Sequence, residues 1–308
     1  MNKRAFVTGA SGFIGINLVK QLCEEGWDVT ALHRVQSNIT HLSKLPVKLV
    51  KGDICDDNII SFIPKDTDAV FHVAANLNFN RVPDIQQDLT TINGTINVID
   101  ASIKRKIKRF IYTSSLATYG AQDSVSINEN SLSNALDIPL NYFRSKYLAE
   151  LEVSKAIEKG LDAVILNPAH VIGPHGGVVW ISFVESIVSG KLKTTPPGNS
   201  HFCHVEDIAR AHITAFEKGR AGEKYLLGGV AASFEEIGNI VSEIMNSKTP
   251  TVSFERDSSM TSEVFDLLSL NQIVDSTKAI KELDFKYGTL KEMISDLCIW
   301  MRKEKLIG

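Results

Sequence analysis

Hydrophobic positions in the first two-thirds of the chain come as short apolar runs separated by stretches with helical periodicity. Ala5 to Thr8 form the first run, and an apolar-periodic helix follows through Ile14, Leu18, Val19 and Leu22. Gly26 closes that helix, "WDVTAL" reads as a second strand, and "VKLVKGDICD" as a third strand entering a turn. "AVFHVAA" (69–75) is apolar on both faces, the mark of a central parallel strand. A long helix is predicted from Asp84 to Lys104, where Ile85, Leu89, Ile92, Ile96, Ile99 and Ile103 make a continuous seam. That seam packs on a sheet or extends into a helix–helix contact between two copies. The basic cluster of Lys104, Arg105, Lys106, Lys108 and Arg109 fits a solvated helix end, where the dipole favours cations. "RFIYTSS" is a fifth strand, "NYFRSKYLAELEVSKAIEKG" a helix, and "DAVILNPAHVIGP" a sixth strand ending in a Gly-Pro turn. Alternation this regular predicts an α/β fold with a doubly wound parallel sheet. Past Gly173 the pattern weakens to a helix near Val178 to Ser189 and a clear amphipathic helix, "HVEDIARAHITAFEKG", stopped by Gly219. The expected division is a sheet domain over 1–172, to which 203–228 returns. A smaller lobe of 173–202 and 229–308 then closes over a substrate.

Composition narrows the class without deciding it. The 308 residues are 44% hydrophobic and 22% charged, and a net charge of -3 gives no reason to expect a nucleic-acid partner. Cys23, Cys55, Cys203 and Cys298 are scattered without CxxC spacing, which argues against a zinc site or a disulfide framework. No apolar run reaches membrane-spanning length, and the first strand starts too near Met1 to follow a signal peptide. A soluble cytoplasmic enzyme without a metal is the expectation.

Candidate chemistry begins at "TGASGFIG". Gly9, Gly12 and Gly15 lie three apart between the first strand and the first helix. Gly9 permits the tight turn, Gly12 lets phosphates approach the backbone, and Gly15 lets the helix lie against the strand. The free N–H groups at the helix start, where Phe13 and Ile14 lie, and the positive end of the helix dipole then favour a pyrophosphate. After the second strand there is no Asp or Glu between Asp28 and Asp53 to hold a ribose 2′-hydroxyl; His33 and Arg34 stand there instead. A guanidinium complements a 2′-phosphate and Ser11 offers a further hydrogen bond, so NADP(H) is expected over NAD(H). Asp53 stands where an acid could accept from the adenine amino group, although it fits a plain turn residue equally. Ala74 and Ala75 leave room for a cofactor at the carboxyl end of the fourth strand.

Ser115 ends the fifth strand, and Tyr142 and Lys146 lie one turn apart on one helix face. A phenol ionises near 10, and an ammonium beside it lowers that value. Ser115 would orient a reacting oxygen, Tyr142 would transfer its proton, and a nicotinamide would exchange hydride at the adjacent carbon. Segments next to the strand ends supply candidate substrate contacts at Asn76, Leu77, Phe79, Tyr119, His170 and Phe202.

"TGASGFIG", "FHVAA", "RFIYTSS", "YFRSK", "NPAHVIGP" and "HVEDIARAH" resemble the successive signatures of the extended short-chain dehydrogenase/reductase superfamily, and most of all its dihydroflavonol-4-reductase-like branch. The resemblance spans Thr8 to His212 and implies a Rossmann fold, with Ser115, Tyr142 and Lys146 as the catalytic set. Ser115 aligns with the catalytic serine, and Ser114 is its neighbouring alternative. Gly9, Gly12, Gly15, Arg34, Asp53, Ile54, Pro168, His170 and Val171 are implied to face the cofactor. A homodimer through the seam helix and the Tyr142 helix is also implied. Two departures stand out. Thr91 occupies a position that is Asn in many members, and Ser200 one where sugar-nucleotide members commonly carry Arg. The leading expectation is NADPH-dependent reduction of a ketone or aldehyde in a small, largely apolar substrate. A nucleotide-sugar epimerase or dehydratase and a 3-beta-hydroxysteroid-type dehydrogenase are the alternatives. A dinucleotide-sensing regulator is the reading from another class, and the presence of Tyr142 and Lys146 argues against it.

Overall fold

The computed structural model describes residues 2–253, 255–256 and 260–308. Its main sheet has seven parallel strands in the spatial order Lys224–Leu227, Ala163–Pro168, Arg109–Thr113, Ala69–His72, Arg4–Thr8, Asp28–His33 and Lys48–Lys51. The chain starts at Arg4–Thr8, winds to one edge, then crosses back and winds to the other. The crossing point lies between Arg4–Thr8 and Ala69–His72, and the crevice at the carboxyl ends of those strands is where such a sheet takes ligands.

Side-chain alternation along the first strand builds the two layers. Ala5 and Val7 pack with Leu18 and Leu22 of the helix Phe13–Glu24 and with Ile208 and Ile213 of the helix Val205–Lys218. Phe6 faces the other way, into Val98, Ile99, Ala149 and Val153. These come from the helices Gly94–Arg105 and Asn141–Glu158.

The helix expected over 84–104 is present with an interruption. A π-helical turn, Leu89–Asn93, separates Ile85–Asp88 from Gly94–Arg105. The wider turn breaks the seam's register. Ile99 is buried, while Ile85, Leu89 and Ile103 are exposed. Nor is the basic cluster simply a solvated helix end. Arg109 pairs with Asp162 at 2.8 Å and donates to the carbonyls of Phe216 and Gly219 at 3.0 and 2.8 Å. It thereby caps the carboxyl end of a different helix, Val205–Lys218, where a cation is favoured.

The second core forms around a three-stranded sheet of His170–Ile172, Asn199–His204 and Val230–Ser233. Ile172, Trp180, Val184, Phe202, Phe234, Met293 and Leu297 fill it. The carboxyl-terminal part divides between the two cores. Ala279, Leu283 and Phe285, in and after the helix Thr277–Leu283, pack into the main-sheet core, although the expectation placed 229–308 wholly in the lobe. Among the described residues, no helix is long and apolar enough to cross a membrane.

Candidate active site

The glycine loop sits at the crossing point of the sheet. Gly9 has φ +65°, and a Cβ there would stand 2.7 Å from the Ala74 nitrogen, so loop and fourth-strand end are in backbone contact. The Gly12 N–H donates to the Gly9 carbonyl at 2.9 Å. Gly12 is also the N-cap of the helix and supplies no side-chain cap, which leaves the first-turn N–H groups of Phe13 and Ile14 for a ligand. A Cβ on Gly15 would lie 2.0 Å from the Gly9 carbonyl oxygen, so helix and loop touch through backbone alone. This is a cradle that side chains would fill, and it fits a dinucleotide.

Arg34 is exposed just past the second strand and forms no ion pair among the described residues. Its N–H donates to Ser37 Oγ at 3.2 Å, and its carbonyl lies 3.0 Å from Nδ1 of the half-buried His33. Ser11 lines a cavity of about 260 Å³ together with Asn38, His41, His175, Trp300 and Glu304. The carboxyl-terminal helix Leu290–Lys303 thus reaches the glycine loop, a proximity with no local signal in the sequence. His41 and Glu304 approach to 3.3 Å, and burial pulls the His175 imidazole down to about 4.

The remaining cofactor candidates divide. The Asp53 carboxylate accepts from the Cys55 N–H at 3.0 Å, an Asx turn that leaves its second oxygen available. The Ile54 side chain is buried under Gly94, and Asn97 occupies the Ile54 carbonyl at 3.1 Å. Ala74 and Ala75 line the fourth-strand end, and the Ala74 N–H donates to Thr8 Oγ1 at 3.3 Å. Behind them, fully buried His72 lies 2.7 Å from Thr8 Oγ1 and 2.9 Å from Thr95 Oγ1, and burial keeps it neutral. Pro168 is buried at the end of its strand and Val171 half-buried beside the main core.

Ser115 is half-buried and accepts from the Ala117 N–H at 3.1 Å, so its oxygen caps the short helix Leu116–Tyr119. Tyr142 is half-buried, with its ring 5.4 Å from that of Phe79. Burial raises its phenol above the ordinary value, and hydrogen bonding to Ser115 opposes the rise. The expected lowering by Lys146 is therefore not what governs this phenol. Lys146 is 2% exposed and donates to the Thr113 carbonyl at 2.7 Å and to Tyr112 Oη at 3.3 Å. Burial brings its ammonium down to about 8.

Of the substrate candidates, Asn76, Leu77 and Phe79 lie on the segment beside Tyr142. The Asn76 N–H is held by Thr91 Oγ1 at 3.3 Å, which gives the threonine in the π-helical turn a function of its own. Asn141 pins the same region by donating to Gln87 Oε1 and Asp88 Oδ1 at 3.1 and 2.9 Å. Phe202 and Tyr119 are corrections. Phe202 is fully buried in the lobe core, stacked on His170 at 5.2 Å. Tyr119 is buried with Leu116, Ile127 and Leu226. Burying such rings contributes about 1.5–3 kcal/mol each, which holds them in their cores. His170 is half-buried between Phe202, Trp180 and Phe234, and burial pulls it down to about 4, so it is neutral at pH 7. Two side chains that sequence reading missed, Val264 and Leu267 of the helix Ser262–Leu268, pack on the same apolar cluster as Tyr142. An Arg81–Glu263 ion pair ties that helix to the Asn76–Phe79 segment.

Comparison with known proteins agrees with this geometry. The NAD dependent epimerase/dehydratase family pattern matches residues 5–228. A putative dihydroflavonol 4-reductase of Synechocystis is 28% identical, over 96% of this chain and 94% of its own. Tetraketide alpha-pyrone reductase 1 of Arabidopsis thaliana is 30% identical, over 95% and 93%. Among solved structures, UDP-glucose 4-epimerase of Thermotoga maritima with UDP-glucose superposes with a TM-score of 0.83 at 25% identity, over 98% and 99% of the two chains. The chain belongs to the NAD dependent epimerase/dehydratase family, with dihydroflavonol 4-reductase-like relatives, and is a reductase- or epimerase-type NAD(P)-dependent enzyme.

Proposed function

We propose that this enzyme uses NADPH to reduce a ketone or aldehyde carbonyl in a small, largely apolar molecule. The observation that carries the reading is Tyr142, a phenol beside Ser115 whose ring packs on Phe79 and shares an apolar cluster with Val264 and Leu267. A protonated phenol at neutral pH is a donor, which is what a carbonyl oxygen needs as it gains charge. Ser115 and Tyr142 fix that oxygen by two hydrogen bonds, and Tyr142 passes its proton to it. The Lys146 ammonium would stabilise the tyrosinate left behind and bond the nicotinamide ribose. The bound nicotinamide supplies the hydride. Relatives named as dihydroflavonol 4-reductases and tetraketide alpha-pyrone reductases favour reduction over epimerisation.

The polar groups that would receive a nucleotide diphosphate are engaged elsewhere. Ser200 is buried and donates to Gln272 Oε1 at 2.9 Å. His201 lies between the Gly229 carbonyl and the Val274 N–H, and Arg210 pairs with Asp207 on its own helix. Lys191 and Lys193 are exposed beyond a helix end. Two phosphates need cations to offset their desolvation. Thermal-shift titration with UDP and UDP-sugars is therefore expected to leave the melting temperature unmoved. Clear stabilisation at sub-millimolar UDP would favour the epimerase reading.

For the cofactor, the Phe13 and Ile14 N–H groups would hold the pyrophosphate against the bare Gly12 backbone, Arg34 and Ser11 the 2′-phosphate, and Asp53 the adenine. Fluorescence titration is expected to give tighter binding of NADPH than NADH, and Arg34→Asp to reverse the order by repelling the 2′-phosphate. Tighter NADH binding by the parent would overturn the preference. The exposure of Ile85, Leu89 and Ile103 supports the accompanying proposal of a homodimer, against which a monomer in light scattering at micromolar concentration would count.

A further inference from the structure

The helix that carries Tyr142 and Lys146 presents a third polar side chain one turn further on. Glu150 is 3% exposed, and every partner of its carboxylate is a donor. Oε2 accepts from Ser114 Oγ and from Asn167 Nδ2, the latter at 2.7 Å, and Oε1 accepts from Lys224 Nζ. Asn167 Nδ2 also faces the Ser115 carbonyl at 3.1 Å and Thr118 Oγ1 at 3.0 Å, while its Oδ1 has no partner. Four segments meet at this one carboxylate: the catalytic helix, the Ser114–Ser115 turn, the strand Ala163–Pro168 and the edge strand Lys224–Leu227.

We propose that Glu150 is a positioning residue of the catalytic set, acting on Ser115 through Ser114 and Asn167 and on Lys146 through its charge one helical turn away. The claim rests on the reductase reading only in naming Ser115 and Lys146 as working groups. Ser114, Asn167 and Lys224 all bring hydrogens to one point, so Asn167 and the Ser114 hydroxyl need an anion there; the Ser115 carbonyl takes Asn167 as a third partner beside the Thr118 N–H and Oγ1, at 3.1 and 2.9 Å. The charged and titratable groups facing Glu150 are Lys146 on its own helix, Tyr112 on the fifth strand, Tyr119 on the short helix and Lys224 on the edge strand. Its negative charge opposes the desolvation that disfavours the Lys146 ammonium. A buried ion pair can also serve folding alone, so the decisive readout is the titration of Lys146, which needs no substrate.

The experiment follows the Lys146 Cε resonance against pH in protein labelled with 13C-lysine, assigned by its loss in Lys146→Arg. Glu150→Gln is expected to move the Lys146 midpoint down by roughly one pH unit, and Glu150→Asp to restore part of that shift. An unmoved midpoint in Glu150→Gln overturns the proposal. If Glu150→Gln fails to fold, Glu150→Asp decides: the carboxylate drawn back by one methylene is expected to lower the Lys146 midpoint by part of that unit, and an unmoved midpoint overturns the proposal. With any ketone the parent reduces, the alkaline limb of kcat/KM is expected to move to lower pH in Glu150→Gln. Absence of turnover in the parent counts against the reductase reading and leaves the titration result standing.

Discussion

Tyr142→Phe is expected to lower turnover of an apolar ketone by roughly 10²- to 10⁴-fold, the usual worth of a positioned general acid, and to leave NADPH affinity nearly intact. The substitution removes one hydroxyl. The ring keeps its place against Phe79 and Phe143, so the apolar packing survives. Ser115 remains, and its oxygen accepts from the Ala117 N–H while its hydrogen stays free for the substrate, but a serine hydroxyl is a much weaker acid than the phenol and cannot replace it as proton donor. Steady-state kinetics with a fluorescence titration of NADPH separates the two effects. Unchanged turnover in Tyr142→Phe would remove the phenol from the mechanism.

The second large effect concerns two glycines that look alike in sequence and differ in space. Gly15→Ala would place a Cβ 2.0 Å from the Gly9 carbonyl oxygen and 2.8 Å from its carbon. Both are backbone atoms, so the helix must back away from the loop. That overpacking is expected to cost about 1–3 kcal/mol of stability and to weaken NADPH as well. Gly12→Ala meets only the Gly9 oxygen at 3.2 Å, and its φ of -85° suits any residue. Its stability is expected to change by less than about 1 kcal/mol. Its NADPH affinity is expected to fall about a hundredfold, near 2.8 kcal/mol, because the new methyl stands where the pyrophosphate approaches. Thermal unfolding and cofactor titration of both variants test the contrast. Parent-like NADPH binding by Gly12→Ala would contradict the placement of the cofactor.

What was legible in the sequence is what local pattern determines. The glycine loop, the six strands through Pro168 and the helix with Tyr142 and Lys146 all carry their own periodicity or turn chemistry. The edge strand Lys224–Leu227 is four residues long and joins the sheet only by pairing with Ala163–Pro168, so no local pattern marks it as a strand. Phe202 and Tyr119 show the limit of choosing site residues by nearness to strand ends. The segment arrives at the site, but the direction of the side chain sends the ring into a core. Trp300 and Glu304 reach the glycine loop across most of the chain's length, which no spacing announces. Glu150 was within reach, since Tyr142, Lys146 and Glu150 recur every four residues along one face. What the spacing does not reveal is that Ser114, Asn167 and Lys224 converge there.

Reduction itself is tested most directly by isotope transfer. The protein is incubated with an apolar ketone and NADPH deuterated at C4 of the nicotinamide, and the alcohol is examined by mass spectrometry and NMR. Hydride transfer with Tyr142 as acid predicts deuterium on the carbinol carbon with NADPH consumed in equal amount, and loss of both with Tyr142→Phe. NADPH left unoxidised by every ketone and aldehyde offered, while UDP stabilises the protein, would contradict it.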